Sequence, residues 1–392
     1  MSERDKDLLR QAAGQAHERV SSHFREIDRI VALLGELLQQ SAPERRLLIE
    51  TQPRLQGLKL CELLQTRARQ VWSSDPVAAV EFAELAVAVA DRLDTEHYGS
   101  QVVENVRALA WAHLGNAHRI ASDLRRAEED LRTAEEHYRL AGEDAYTEAQ
   151  FLSFKASLRN AQGQFEDAAM LLDQALAIYR EARDRHLQGK MLIKKGAAFG
   201  YAGRFKEASR LVRRGLSRID LMEDPRLLVA ARHNLIWYLE EAGRHQEALT
   251  ALEETRSLYL ELGEPSHRVR LRWLEGKIFR GLDRLDEAES TLREARDAFI
   301  ERGIGFDAAL VSLDLAMVYA RRGDTGEMKR LATEMIPIFE SRDVHQEALA
   351  ALLLFRQAAE TEGATLGLLE RMATYLQRAR RNPELRFTAD PG

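Results

Sequence analysis

Lysine is scarce in this chain: nine occur in 392 residues, while arginine supplies most of the 57 basic side chains. There is one cysteine, Cys61, so no internal disulfide can form, and a reducing compartment is expected. Cys61 lies in the apolar run Leu58-Lys59-Leu60-Cys61-Glu62-Leu63-Leu64 and reads as a small core residue rather than a reactive thiol. Only 8 prolines occur, mostly near the ends or between helical stretches, so long segments lack the strongest helix breaker. No long apolar run exists. The best candidate, Phe82 to Ala90, is interrupted by Glu84 and falls far short of the ~20 residues a membrane span needs. The opening residues MSERDKDLLRQ put charges where a signal peptide carries its apolar core, so the expected location is cytoplasmic and no membrane partner is expected. An excess of basic charge is missing too: the net charge is −6, which argues against a dedicated nucleic-acid binder.

What is present is helix-forming. Hydrophobic residues make up 45% and charged residues 31%, a folded composition, and Ala, Leu, Glu, Arg and Gln dominate. The fold class expected is all-α.

A pattern recurs along the chain: a turn, a short polar link, then an alanine followed at four and seven residues by small or apolar side chains. It appears in RRAEEDLRTA, EDAAMLLDQA, KEASRLVRRG, QEALTALEET and DEAESTLREA, with a weaker copy in GEMKRLATEM. The leading positions are Ala127, Ala168, Ala208, Ala248, Ala288 and Met328, giving steps of 41, 40, 40, 40 and 40. A second helical stretch precedes each copy and closes at a turn, with Gly163, Gly203, Gly243, Gly281 and Gly323 as the expected helix ends. These first stretches run over 108–121, 150–161, 190–202, 230–242, 270–280 and 310–322. A two-helix unit cannot bury its apolar stripe alone, so successive units must stack. The small leading residues belong where the second helix crosses the first closely.

Trp111, Leu114, Gly115, Ala127, Leu131 and Ala134 together resemble the tetratricopeptide-repeat signature, with Gly196 and Gly276 repeating its small first-helix residue and Tyr319 its following aromatic. Forty residues is similar to the longer variant found in kinesin light chains, polarity adaptors and bacterial peptide-sensing regulators. Only the first good copy has the tryptophan, and the repeat-ending proline is absent. The resemblance spans roughly 108–340 and implies a right-handed α-solenoid of stacked helix-turn-helix repeats. The expected organisation is an N-terminal helical extension or cap over 1–57, a divergent first repeat over 58–99, six repeats over 100–340, a closing helix pair over 341–381 and a flexible tail over 382–392. Asp75 and Pro76 suit the start of a helix in the divergent repeat.

No phosphate-binding G-x-x-x-x-G-K-[ST] loop, H-E-x-x-H or G-x-S-x-G occurs, and Gly303-Ile304-Gly305 reads as a turn. His113 and His118 are splayed to different faces of one helix. Carboxylate pairs such as Glu128-Glu129 and Glu240-Glu241 read as solvated faces. No catalytic residue, metal or cofactor is expected.

In the arrays this chain resembles, the first helix of each repeat lines the concave surface. That register yields the binding candidates Asn116, Arg119, Asn160, Lys190, Lys194, His233, Asn234, Trp237, Arg270, Trp273, Lys277 and Arg280. The set is cationic within an acidic chain and includes three of the nine lysines. Asn can pair with both groups of a peptide backbone, Lys and Arg attract carboxylates, and Trp is a common anchor. The expected function is a non-catalytic protein- or peptide-binding adaptor or regulatory sensor whose partner is acidic or ends in a free carboxyl terminus. Alternatives are a helical-repeat RNA binder, which the net charge disfavours, and a non-catalytic subunit of an enzyme assembly.

Overall fold

The computed structural model describes residues 27–72, 74–142, 144–220, 223–262, 265–340, 355–360 and 363–379. Among them the protein is all-α, with no strand. The helices are α1 (27–38), α2 (Ala42–Thr51), α3 (Leu58–Val71), α4 (Pro76–Asp91), α5 (Thr95–Tyr98), α6 (Ser100–Ile120), α7 (Leu124–Ala141), α8 (Ala145–Ala161), α9 (Phe165–Glu181) and α10 (Arg185–Tyr201). They continue with α11 (Phe205–Leu216), α12 (Pro225–Glu241), α13 (His245–Leu262), α14 (Pro265–Gly281), α15 (Leu285–Glu301), α16 (Gly305–Arg322), α17 (Thr325–Glu340), α18 (355–360) and α19 (Leu366–Ala379). The expected features in 1–26, 341–354 and 382–392 lie outside the described residues, as does the start of the closing helix pair.

The chain forms two compact units, Met1–Ala198 and Phe199–Gly392. In the first, α3 pairs with α4, α6 with α7 and α8 with α9, and α6 also packs on α4 and α8. Leu33, Leu34 and Leu37 of α1 join Leu60, Leu64, Ala83 and Ala86 in one core. Cys61 is fully buried there, and burial pushes its thiol up to about 12. In the second unit α12 pairs with α13, α14 with α15 and α16 with α17, while α19 lies against α16.

The forty-residue pattern has a direct packing cause. Ala127, Ala168, Ala208, Ala248 and Ala288 have no exposed surface at all. Opposite them the first helices also keep their side chains small. A methyl group added at Gly115 would lie 3.0 Å from Leu131, and one added at Gly276 would lie 2.7 Å from Leu292. A side chain at Gly276 would force Leu292 to move, and one at Gly115 would press on both Leu131 and the Ala127 carbonyl, so both crossings favour glycine.

Helix starts differ from the sequence expectation. The first helix of each repeat begins about five residues or more earlier than its apolar spacing suggests. At three of the six starts the cause is a capping aspartate: Asp144, Asp184 and Asp224 accept hydrogen bonds from the backbone N–H groups of Thr147, Leu187 and Leu227. They too stand at forty-residue intervals. Asp75 likewise accepts from the Ala78 N–H at 3.0 Å. Residues 95–98 form a single helical turn capped by Asp94.

One turn assignment is corrected. Gly281 is the last residue of α14 and packs against the His245 ring. The left-handed position of that repeat belongs to Asp283, at φ +60°, in register with Gly163, Gly203, Gly243 and Gly323. Two outcomes follow for urea unfolding. Ala288→Leu lowers stability by roughly 1–3 kcal/mol through overpacking. Asp283→Gly raises it by up to about 1 kcal/mol by relieving the left-handed conformation. Unchanged midpoints in both variants would contradict this register.

Candidate functional site

None of the twelve candidate residues is fully exposed; Asn116 and Lys277 are buried and the others are partly buried. The two units treat them differently.

In the second unit Arg270, Trp273, Lys277 and Arg280 pair with residues about one repeat away. The Lys277 ammonium on α14, 8% exposed, meets Glu240 at 2.8 Å and Glu241 at 2.7 Å on α12. Burial pulls its pKa down, but Glu240, Glu241 and Asp314 outweigh that and hold it above the usual lysine range. Glu240-Glu241, read from sequence as a solvated face, is therefore the acidic half of a buried pair, with Glu240 only 6% exposed. Arg280 reaches Asp314 at 2.6 Å, and the Trp273 indole N–H donates to the other Asp314 oxygen at 2.7 Å. Arg270 meets the buried Asp307 at 3.4 Å. The Trp237 indole packs among Tyr201, Phe205 and Tyr238 and donates to Glu241 at 3.0 Å. His233 shares a 3.0 Å hydrogen bond with the Tyr259 hydroxyl, and burial first, then Arg270 and His267, draws its pKa to about 4. Asn234 is partly buried on the same helix. These side chains tie neighbouring first helices together through charges that cancel.

In the first unit the equivalent step ends on hydroxyls. Lys194 of α10 donates to Ser153 of α8, 41 residues earlier, and reaches Ser157 at 3.4 Å. Its ammonium stands 6.0 Å from the centre of the Phe154 ring. Among the described residues no carboxylate pairs with it. Burial, then Lys190 and Arg119, draws its pKa down to about 7. Arg119 donates two hydrogen bonds to Asn116 at 2.9 and 3.1 Å. Asn160, one turn beyond Ser157, has a buried side-chain oxygen without a hydrogen-bond partner among the described residues.

Sequence reasoning missed two members of this cluster. Arg69, from the divergent repeat, donates to His113 Nε2 at 3.4 Å, and the His113 ring stands edge-on to Phe154 at 4.9 Å. Burial, then Arg69, Lys190 and Lys194, lowers the His113 pKa to about 3. Arg69 could not be found by the forty-residue register, because its helix lies outside the regular copies. His113 was recognisable only as one of an unrelated pair of histidines. His118 faces away and bonds Asp130 at 2.6 Å inside the α6–α7 crossing. The first unit thus gathers Arg69, Arg119, Lys190 and Lys194 around a neutral imidazole and two serines, an environment that favours negative charge. Among the described residues no group of three or more His, Cys, Asp or Glu side chains could hold a metal ion.

The family profile described as tetratricopeptide repeat matches residues 147–219, from α8 to just past α11. No curated protein matches the sequence. Among solved structures, a Rap protein complexed with competence and sporulation factor is 15% identical with a TM-score of 0.54, over 83% of this chain and 88% of that one. NprR in complex with its cognate peptide NprX is 14% identical with a TM-score of 0.50, over 84% and 96%. The signal-transduction ATPase with a tetratricopeptide repeat sensor from Pyrococcus horikoshii is 15% identical with a TM-score of 0.60, over 91% and 52%. At such identities the likeness concerns the fold. These matches and the stacked helix pairs define an all-α solenoid. Residues 147–219 thus carry the tetratricopeptide-repeat match, and the forty-residue period continues the same helix-pair pattern on either side of it.

The two lowered imidazoles set a pH dependence. An unfolded histidine titrates near 6.5, above the folded values of about 3 and about 4. The unfolded chain therefore binds more protons between about pH 6.5 and 4, and stability falls as the pH drops through that window. At about pH 5 the loss is about 2 kcal/mol per histidine. Urea midpoints measured across this range in His113→Gln/His233→Gln should show a clearly flatter slope than wild type.

Proposed function

We propose that this protein is a non-catalytic adaptor or sensor that holds an extended, anion-bearing peptide segment on the first-helix face of its first unit. The observation carrying this reading is the carboxylate-free setting of Lys194, beside Lys190 and Arg119 and hydrogen-bonded only to serines. A carboxylate arriving there meets several cations at once, and Asn116 and Asn160 can pair with the peptide backbone. The likeness in fold to NprR, crystallised with its cognate peptide, and to a Rap protein, crystallised with competence and sporulation factor, supports the same direction. The partner chemistry is an acidic stretch or a free carboxyl terminus. Binding needs no cofactor, metal, nucleic acid or membrane, and a reducing, cytoplasmic setting suits the lone buried Cys61.

The test is selection from a random peptide library, followed by fluorescence anisotropy on synthetic copies of the selected peptides. Acidic or free-carboxylate peptides should be enriched, and Lys190→Glu/Lys194→Glu should weaken them about tenfold or more, roughly 1.4 kcal/mol. Lys206→Glu, on the exposed face of α11, should leave affinity unchanged. Because an incoming carboxylate favours the ammonium form of Lys194, affinity should rise as the pH falls through about 7. Equal binding by the double variant, with no preference for anionic peptides, would overturn the reading.

A further inference from the structure

We propose that Lys194 is a carbamylation site, at which carbon dioxide adds reversibly to the side-chain amine and the resulting carbamate is held by Ser153, Ser157, Lys190 and Arg119. This goes beyond peptide binding and does not rest on it.

The chemistry asks for four things. The first is an amine free of its proton, because only the nitrogen lone pair attacks carbon dioxide. Lys194 is surrounded by positive charge with no carboxylate partner among the described residues, and its pKa is drawn to about 7 by burial, Lys190 and Arg119. An ordinary lysine, titrating near 10.4, is almost wholly protonated at neutral pH. The second is access, and the side chain is partly buried rather than sealed.

The third is an environment that prefers the product. In the reaction the C–N bond forms, one C–O π bond opens onto oxygen, and the nitrogen loses a proton to solvent. The side chain passes from neutral amine to anion. The same Lys190 and Arg119 charges that oppose an ammonium attract a carbamate, so the field acts in the same direction on both steps. An imine with an aldehyde would place iminium charge back among those cations, which is why carbon dioxide is the favoured electrophile. The fourth is hydrogen-bond donors for the new oxygens. The Ser153 hydroxyl accepts from the amine and keeps its own proton to give, while the Ser157 hydroxyl, 3.4 Å away, would exchange the 2.9 Å bond that it donates to the Ser153 carbonyl.

Lys277 is the internal contrast. It occupies the corresponding stripe of α14 and is more buried, yet its two glutamates keep it protonated and would repel a carbamate. A carbamate at Lys194 would also invert the charge offered to an anionic ligand, making carbon dioxide a competitor for the same face.

The full-length protein is equilibrated with bicarbonate near neutral pH and trapped with triethyloxonium, which converts a carbamate to a stable ethyl ester. Peptide mass spectrometry then measures occupancy at each of the nine lysines. Lys194 should carry the ester with an enrichment over the other lysines of at least about tenfold, reflecting its far larger neutral fraction. Enrichment should vanish in urea, and Arg119→Met should reduce it in protein shown by circular dichroism to be folded. A 13C-bicarbonate NMR resonance present in wild type and absent from Lys194→Arg gives an independent reading. No ester at Lys194, or labelling spread evenly over the lysines of the folded protein, would overturn the proposal.

Discussion

What a cation on one first helix meets about one repeat away decides what each part of this molecule can do. Burying an ammonium or guanidinium costs several kcal/mol of solvation unless an opposite charge compensates it. In the second unit the compensation is built in: Lys277 has Glu240 and Glu241, Arg280 has Asp314, and Arg270 has Asp307. In the first unit Lys194 meets Ser153 and Ser157, which offer dipoles and no charge. The second unit's pairs lock neighbouring repeats together. At Lys194, among the described residues, no carboxylate supplies that compensation.

That comparison is possible only because the repeats keep strict register. The leading alanines are wholly buried, and the glycines at positions 115 and 276 sit tightly against Leu131 and Leu292. A larger residue at either side would shift one helix along or away from the other and move every cross-repeat contact with it. The aspartate caps at positions 144, 184 and 224 fix where α8, α10 and α12 begin, and the left-handed residues from Gly163 to Gly323 fix where the first helices end. Position along the helix is therefore set at both ends. This is what brings Lys194 level with Ser153, and Lys277 level with Glu240.

The period, the helix pairing and the small crossing residues were legible because they repeat within the chain and depend on local spacing. The aspartate caps were equally periodic but preceded the apolar stripe, so helix starts inferred from hydrophobic spacing fell late. Asp283 was hidden because a neighbouring glycine, Gly281, looked like the natural helix end. The charges were the hardest part. Glu240-Glu241 and Lys277 were each visible, one read as a surface and the other as a ligand contact, and nothing local says that they meet. Trp237 and Trp273 were visible as aromatics on the right stripe; the Trp237 bond to Glu241 lies within one helix, but that of Trp273 to Asp314 emerges only from the packed helices. Arg69 enters the cluster from a divergent helix that no register assigns.

Lysine titration followed by NMR tests the central claim most directly. With the side-chain ε-carbons labelled, the nine lysines give few enough resonances to follow one by one, and Lys194→Arg and Lys277→Arg assign the two that matter. The account predicts that Lys194 titrates at about 7, while Lys277 stays protonated beyond the range of ordinary lysines. A Lys194 that titrates with the exposed lysines, near 10.4, would show that its charge is already compensated and would remove the basis for an anion-seeking first unit.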